Sequence, residues 1–159
     1  MKPKIVTINS KKFIGRTLEM SFANNRTREL WTSFMQQRKE IENVICDDLI
    51  SLQIYEPGFF ESFDPNRIFR KWTLCEVSSF ENIPGGMVSF ELPAGEYAVF
   101  IYKGLPAKAQ PFFDYIFREW LPSSEYELDV RPHFEVLGPQ YSNNSAESEE
   151  EVWIPVKRK

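Results

Sequence analysis

Near the C-terminus the run Glu149-Glu150-Glu151-Val152-Trp153 sets carboxylates and an indole at alternating positions. Successive side chains of an extended segment point to opposite faces, so Glu151 and Trp153 share one face and Val152, Ile154 and Val156 the other. An acid beside a flat ring suits a flat, cationic guest, because the ring offers stacking and cation–π attraction and the carboxylate a counter-charge. Upstream, Arg131-Pro132-His133-Phe134-Glu135 contains the chain's only histidine and a second acid. Alternation continued from Tyr126 sets His133 and Glu135 on the face away from Phe134 and Val136. The same parity adds Phe100 and Tyr102 from the returning strand of a hairpin, with Tyr55 and Trp72 from the first half. These eight residues form the expected ligand site. Glu149 and Glu150 read as a solvated acidic loop end, whereas Glu151 and Glu135 are the candidate general bases if the site turns over a substrate.

Other chemistries lack their residues. There is no G-x-S-x-G and no Gly-rich phosphate loop, so neither nucleophile-elbow nor nucleotide chemistry is expected. One histidine and two distant cysteines, Cys46 and Cys75, make no zinc-type cluster. No metal and no cofactor is expected, and binding is favoured over catalysis.

The elements that position the site read as strand–strand–helix–strand–strand, twice. In the first half, Lys4 to Ile8 and Phe13 to Phe22 alternate apolar and polar residues. Ala23-Asn24-Asn25 then breaks the strand ahead of an amphipathic helix from Arg26 to about Val44, with Leu30, Trp31, Phe34 and Ile41 on its inner side. Strands near Leu52–Glu56 and Arg70–Ser78 follow, separated by the turn residues Pro57-Gly58 and Asp64-Pro65. Pro84-Gly85-Gly86 marks the joint between halves of about 1–80 and 87–159, within one domain spanning 1–159. The second half begins as a hairpin, Met87–Leu92 and Glu96–Lys103, turning at Pro93-Ala94-Gly95. A helix from Ala107 to Leu121 carries Phe112, Phe113, Ile116, Phe117 and Trp120, and Pro122 stops it. Tyr126–Leu137 and Glu151–Lys157 close the fold as strands, joined by the polar stretch Gly138 to Glu150. The expected class is α+β: an antiparallel sheet with two helices on one face and a ligand cleft on the other.

Composition narrows the partners. The net charge is −4 with no basic stripe, so direct nucleic-acid binding is not expected. No apolar run approaches a membrane span and the N-terminus lacks a signal-peptide core, so a reduced, cytoplasmic protein is expected. Aromatic residues make up 15% of the chain, which makes a ring-lined pocket easy to build.

Several segments together resemble the GyrI-like domain, the effector-binding domain often attached to AraC-type regulators and multidrug-sensing activators. They are Phe69-x-Lys71-Trp72, Leu92-Pro93-Ala94-Gly95-x-Tyr97-Ala98-Val99-Phe100-x-x-x-Gly104, Glu119-Trp120-Leu121-Pro122-x-Ser124, Arg131-Pro132-His133-Phe134-Glu135 and Glu149-Glu150-Glu151-x-Trp153-Ile154-Pro155-Val156-Lys157. The resemblance spans the whole chain. It implies two tandem β-β-α-β-β-like units, a cleft between them, and an acidic pocket residue on the last strands that holds cationic or amphipathic aromatic compounds. By position, Glu151 and Trp153 match the final Glu-x-aromatic-x-Pro motif and Glu135 the acid of the preceding strand. No helix-turn-helix segment accompanies the domain, so a sensor or sequestering protein is expected rather than a conventional transcription factor. Two alternatives follow from the resemblance: a hydrolase of cyclopropane-bearing alkylating compounds in the same cleft, and a gyrase-inhibitor-like protein binder acting through Glu147–Glu151. A regulator or gyrase is thus the candidate protein partner.

Overall fold

A computed structural model of the protein describes all of residues 1–159. Nine strands are present: β1 (Lys4–Ile8), β2 (Lys11–Met20), β3 (Leu49–Ile54), β4 (Phe69–Val77), β5 (Val88–Leu92), β6 (Gly95–Lys103), β7 (Tyr126–Leu128), β8 (His133–Leu137) and β9 (Glu149–Arg158). The helices are α1 (Thr27–Gln37) and α2 (Gln110–Tyr115), and α2 runs on through a π-helical turn, Ile116–Trp120, into a last turn, Leu121–Ser123. No helix is long and apolar enough to cross a membrane.

All pairing is antiparallel, in the order β1-β6-β9-β8-β3-β4-β2-β5, with β7 added beside β9. The expected hairpin does not form: β5 pairs with β2, and β6 with β1 and β9. Yet only Pro93 and Ala94 separate β5 from β6, and only Asn9 and Ser10 separate β1 from β2. Two residues span at most about 10 Å, so the two ends of the strand order are drawn together and the sheet curls. Close approach inside it requires glycine at position 15, where a Cβ would run into the Thr73 carbonyl across the β2–β4 pair.

Curling produces two kinds of core. The helix-free face closes on itself around Phe13, Leu52, Trp72, Leu74, Tyr97 and Phe134. Tyr97 is fully buried there, and its hydroxyl donates to the Pro132 carbonyl at 2.9 Å. On the other face α1 packs Leu30 and Phe34 against Met20, Phe69, Ile14 and Cys75. The second helix packs Ile116 against Ala98, Phe100, Val152 and Ile154.

Two local expectations are revised, and one connection gains a definite course. The first helix ends at Gln37, because a 3-10 turn (Arg38–Glu40) leads into extended Ile41 and Asn43 adopts φ 62°. The segment Tyr126–Leu137 is two strands rather than one, so parity counted from Tyr126 does not carry across Asp129–Pro132. Arg131 occupies that break, its Nε donating to Asp129 at 2.7 Å and its Nη2 to the Val156 carbonyl at 3.0 Å. Finally, the stretch before β9 is folded back: the Ser148 hydroxyl accepts from the Ser142 amide at 2.8 Å, and the Ser148 carbonyl from the Gly104 amide at 2.9 Å.

A polar cleft between the two helices

Between the areas covered by the two helices, the sheet presents polar residues in register. Thr73 on β4 pairs with Ser51 on β3, Ser51 with Glu135 on β8, and Glu135 with Val152 on β9. One pleat away, Lys71 pairs with Gln53, and Gln53 with His133. Alternate residues share a face, so Lys71, Gln53, Ser51, Thr73, His133 and Glu135 all point toward the helix side. Glu150, two residues before Val152, joins them from β9. Strands flanking this strip carry Val152, Ile154, Cys75 and Val77 on the same face, and the helices cover those.

Burial dominates the electrostatics of the strip. It raises the Glu135 carboxyl, against the Lys71 ammonium, which lowers it. It pushes Glu150 up to about 7, with the charge of Glu135 adding to the effect and Lys71 opposing it. Lys71 is lowered by burial, with Glu135 and Glu150 pulling it back. His133 is depressed to about 3 by burial alone, so it is neutral at physiological pH. Tyr55 is raised by burial and by Glu135, and Tyr141 by burial, Glu150 and Glu135. The Nε2 of Gln53 donates to the Ser51 hydroxyl at 3.1 Å. Two buried oxygens find no partner: Oε2 of Glu135 and Oγ1 of Thr73.

Rings close the strip. Tyr55 meets His133 edge-on at 5.0 Å, and meets Phe59 and Phe60 at 4.7 Å each. Phe60, on the β3–β4 connection, stacks on Phe117 with centroids 5.0 Å apart and planes 13° apart. Phe117 belongs to the π-helical turn, a local widening that often re-aims side chains at functional sites. The Phe60–Phe117 stack therefore bridges the cleft from loop to helix, with His133 5.5 Å and 6.2 Å beneath the two rings. The whole is a small aromatic box over two acids and one base.

Of the eight residues expected at one site, the cleft gathers Glu135, His133 and Tyr55. His133 and Glu135 lie on the helix side rather than opposite it, because β8 has its own parity. Glu151 and Trp153 do share the helix-free face, where the Trp153 indole N–H donates to Glu151 at 3.2 Å and the ring stacks on Phe134. Trp72 is on that face too, tilted against Phe90 at 4.8 Å. Phe100 and Tyr102 face the helices but are buried under the second one, Phe100 edge-on to Trp120 and Tyr102 donating to the Leu105 carbonyl at 2.5 Å. The cleft and the Glu151–Trp153 pair are thus separate features on opposite faces.

Sequence reasoning passed over Lys71, Glu150, Tyr141, Phe60 and Phe117. A signal existed for Lys71, which interrupts the otherwise uncharged alternation Phe69, Thr73, Cys75, Val77. Glu150 shares parity with Val152 and was masked by its place in an acidic run. Nothing local marks Tyr141 or Phe60, which sit in connections.

Comparison with known proteins places this architecture. A family model described as the GyrI-like small molecule binding domain matches residues 1–157. The chain is 26% identical over 157 residues to the transcriptional regulator BrlR of Pseudomonas aeruginosa, covering 98% of this chain and 56% of that protein. It therefore spans little more than half the length of that curated relative. Among solved structures, SAV2435 bound to tetraphenylphosphonium superposes with a TM-score of 0.67 at 18% identity, over 99% of this chain and 94% of that one. The C-terminal domain of EcmrR gives 0.74 at 14% identity, over 99% and 98%. The order of strands, the two helices on one face and the full-length match lead to one conclusion: the chain belongs to the GyrI-like small-molecule binding domain family.

Proposed function

We propose that the cleft between the helices binds a small aromatic cation. The observation that carries this reading is the buried Glu135 carboxylate, one oxygen of which has no partner in the chain. An unsatisfied buried acceptor costs about 1–3 kcal/mol, more when charged, and a cationic guest would remove that cost. Charge points the same way: with both acids ionised, Glu135 and Glu150 exceed Lys71 by one. Tyr55, Phe60, Phe117 and the neutral ring of His133 supply the faces and edges against which the rings of an aromatic cation pack. A relative of the same fold holds tetraphenylphosphonium, which makes that compound a suitable probe. Calorimetric titration should give saturable binding that Glu135→Gln weakens by about tenfold or more, the size of one charge-assisted contact. Equal affinity in wild type and Glu135→Gln would reject the cleft as the cation site.

A second reading is favoured by Glu150. A carboxyl poised at about 7 beside a second acid has the acid–base character that hydrolysis uses, because proton-transfer groups work best near ambient pH. In that reading Glu150 or Glu135 activates water on a strained electrophile held by the rings. Incubation with a cyclopropane-bearing alkylating compound and chromatographic product analysis separates the two. Turnover lost in Glu150→Gln, with binding retained, favours the enzyme; binding without turnover favours the sensor or sequestering protein.

A further inference from the structure

On the helix-free face, the curled sheet leaves a cavity of about 170 Å³ at one end of its core. Its floor is apolar, formed by the buried rings of Phe13 and Phe134 with Ile50. One wall is Trp153, stacked on Phe134 with centroids 5.0 Å and planes 18° apart. The rim carries three acids, Asp48, Glu76 and Glu151, against one base, Lys11. Lys11 is already engaged, with Nζ 3.4 Å from Glu76. Glu151 is oriented by the Trp153 indole N–H at 3.2 Å, which holds the carboxylate alongside the ring. Two carboxylates without a cationic partner thus stand over an aromatic floor.

Size and charge together define what would fit. An apolar cavity of about 150 Å³ accommodates one benzene ring, so this one has room for a single ring or a short chain. A cation over Trp153 would gain ring-face attraction, and the acids at the rim would neutralise it. We propose that this cavity is a second ligand site, selective for a primary ammonium carried on a single ring or short chain, the size of benzylammonium. None of its lining residues belongs to the cleft between the helices, so the two sites are separable by mutation.

The indole ¹H–¹⁵N signals of the full chain test this directly, with Trp153 assigned by its loss in Trp153→Phe. Benzylammonium should shift the Trp153 signal saturably, and neutral benzyl alcohol should bind roughly tenfold more weakly, the value of one charge-assisted contact. The double variant Asp48→Asn/Glu151→Gln should weaken benzylammonium by a similar factor while leaving tetraphenylphosphonium binding as in wild type. Glu135→Gln should leave the Trp153 response intact. The proposal is overturned by no Trp153 shift, by equal binding of benzyl alcohol, or by a response that survives the double variant. It is overturned too if Glu135→Gln abolishes the response, which would place the ring between the helices. The ligand-charge series needs no variant, so a folding defect in the double variant does not rescue the idea.

Discussion

Burial pushes Glu150 up to about 7, into the neutral range, which makes pH a perturbation with strong leverage on the proposed binding. In the unfolded chain its carboxyl ionises near the ordinary 4.5; in the fold, burial and then Glu135 push it up to about 7. Below about 4.5 both states hold the proton, and Glu150 contributes no slope. Between 4.5 and 7 the unfolded chain releases the proton while the folded one keeps it, so stability falls as pH rises. Above 7 the folded protein carries the whole penalty. At about 1.4 kcal/mol per pH unit, displacement from 4.5 to about 7 sets a ceiling of roughly 3 kcal/mol. Glu150 is only partly buried, and solvent screening brings the expected loss to about 1–2 kcal/mol. Glu135 is raised as well, so the two acids titrate as a coupled pair and the observed midpoint belongs to both. The other facing groups stay silent: His133 is neutral above about 3, and Tyr55 and Tyr141 are raised away from neutrality. Lys71, though lowered, is held toward its charged form by both acids. Asp129 and Glu29 are held below their ordinary values, Asp129 by Arg131 against burial and Glu29 by Arg26, so both shift away from this window. Urea denaturation from pH 5 to 8 should therefore show stability falling in wild type and falling less steeply in Glu150→Gln, where Glu135 alone remains to titrate. A monocation that needs the ionised carboxylate reverses the trend, its affinity rising up to about tenfold per pH unit below 7 and levelling above it. A wild-type slope that persists unchanged in Glu150→Gln, or stability that rises over this window, would refute the reasoning.

Removing the internal cation should act oppositely to removing an acid. Lys71→Met is expected to tighten tetraphenylphosphonium binding by about tenfold, because the ammonium no longer competes for Glu135, and to lower unliganded stability by about 3 kcal/mol through unpaired buried charge. Calorimetry and urea denaturation on one sample check both halves. Gly15→Ala drives a Cβ into the Thr73 carbonyl, and backbone cannot yield as a side chain can. A loss of about 3 kcal/mol or more is expected, read as a lowered melting temperature by circular dichroism; a melting temperature equal to wild type would show that β2 and β4 separate freely.

Where one strand carries its own alternation, the sequence is a sound guide to the display of side chains. Val152, Ile154 and Val156 lie under the second helix and Glu151 and Trp153 lie opposite, as β9 alone dictates. Tyr97 is likewise core. Errors arise where a phase is carried across a break. Counting from Tyr126 through Pro132 inverted β8, because Arg131 and Asp129 form a turn that resets parity, and this alone moved Glu135 and His133 to the wrong face. Strand order is the other blind spot. A turn at Pro93-Ala94-Gly95 reads as a hairpin, and only the curl of the sheet explains why its arms pair elsewhere. Phe60 and Tyr141 reach the cleft through connections, whose course no periodicity encodes. Lys71 differs: a lone charge inside an apolar alternation is legible, and it marks the strip.

That strip is difficult to explain as architecture. The sheet face on either side carries Val152, Ile154, Cys75 and Val77, and the same residue types at positions 71, 135 and 150 would let the helices close over a continuous apolar layer. Replacing buried ion groups by well-packed apolar side chains is commonly neutral or stabilising by about 1–4 kcal/mol. Instead the chain keeps two acids and a lysine there, leaves an oxygen of Glu135 unpartnered, and spans the gap with two stacked rings rather than a filled core. The helix-free face is built differently. There the Trp153 indole N–H satisfies Glu151 directly, beside a small cavity in the surrounding core. An unsatisfied, ring-roofed strip on one face and a satisfied acid–indole pair on the other call for different guests. The ring-lined cleft suits the aromatic cation proposed for it; the small cavity suits the compact ammonium proposed for the pair at its rim.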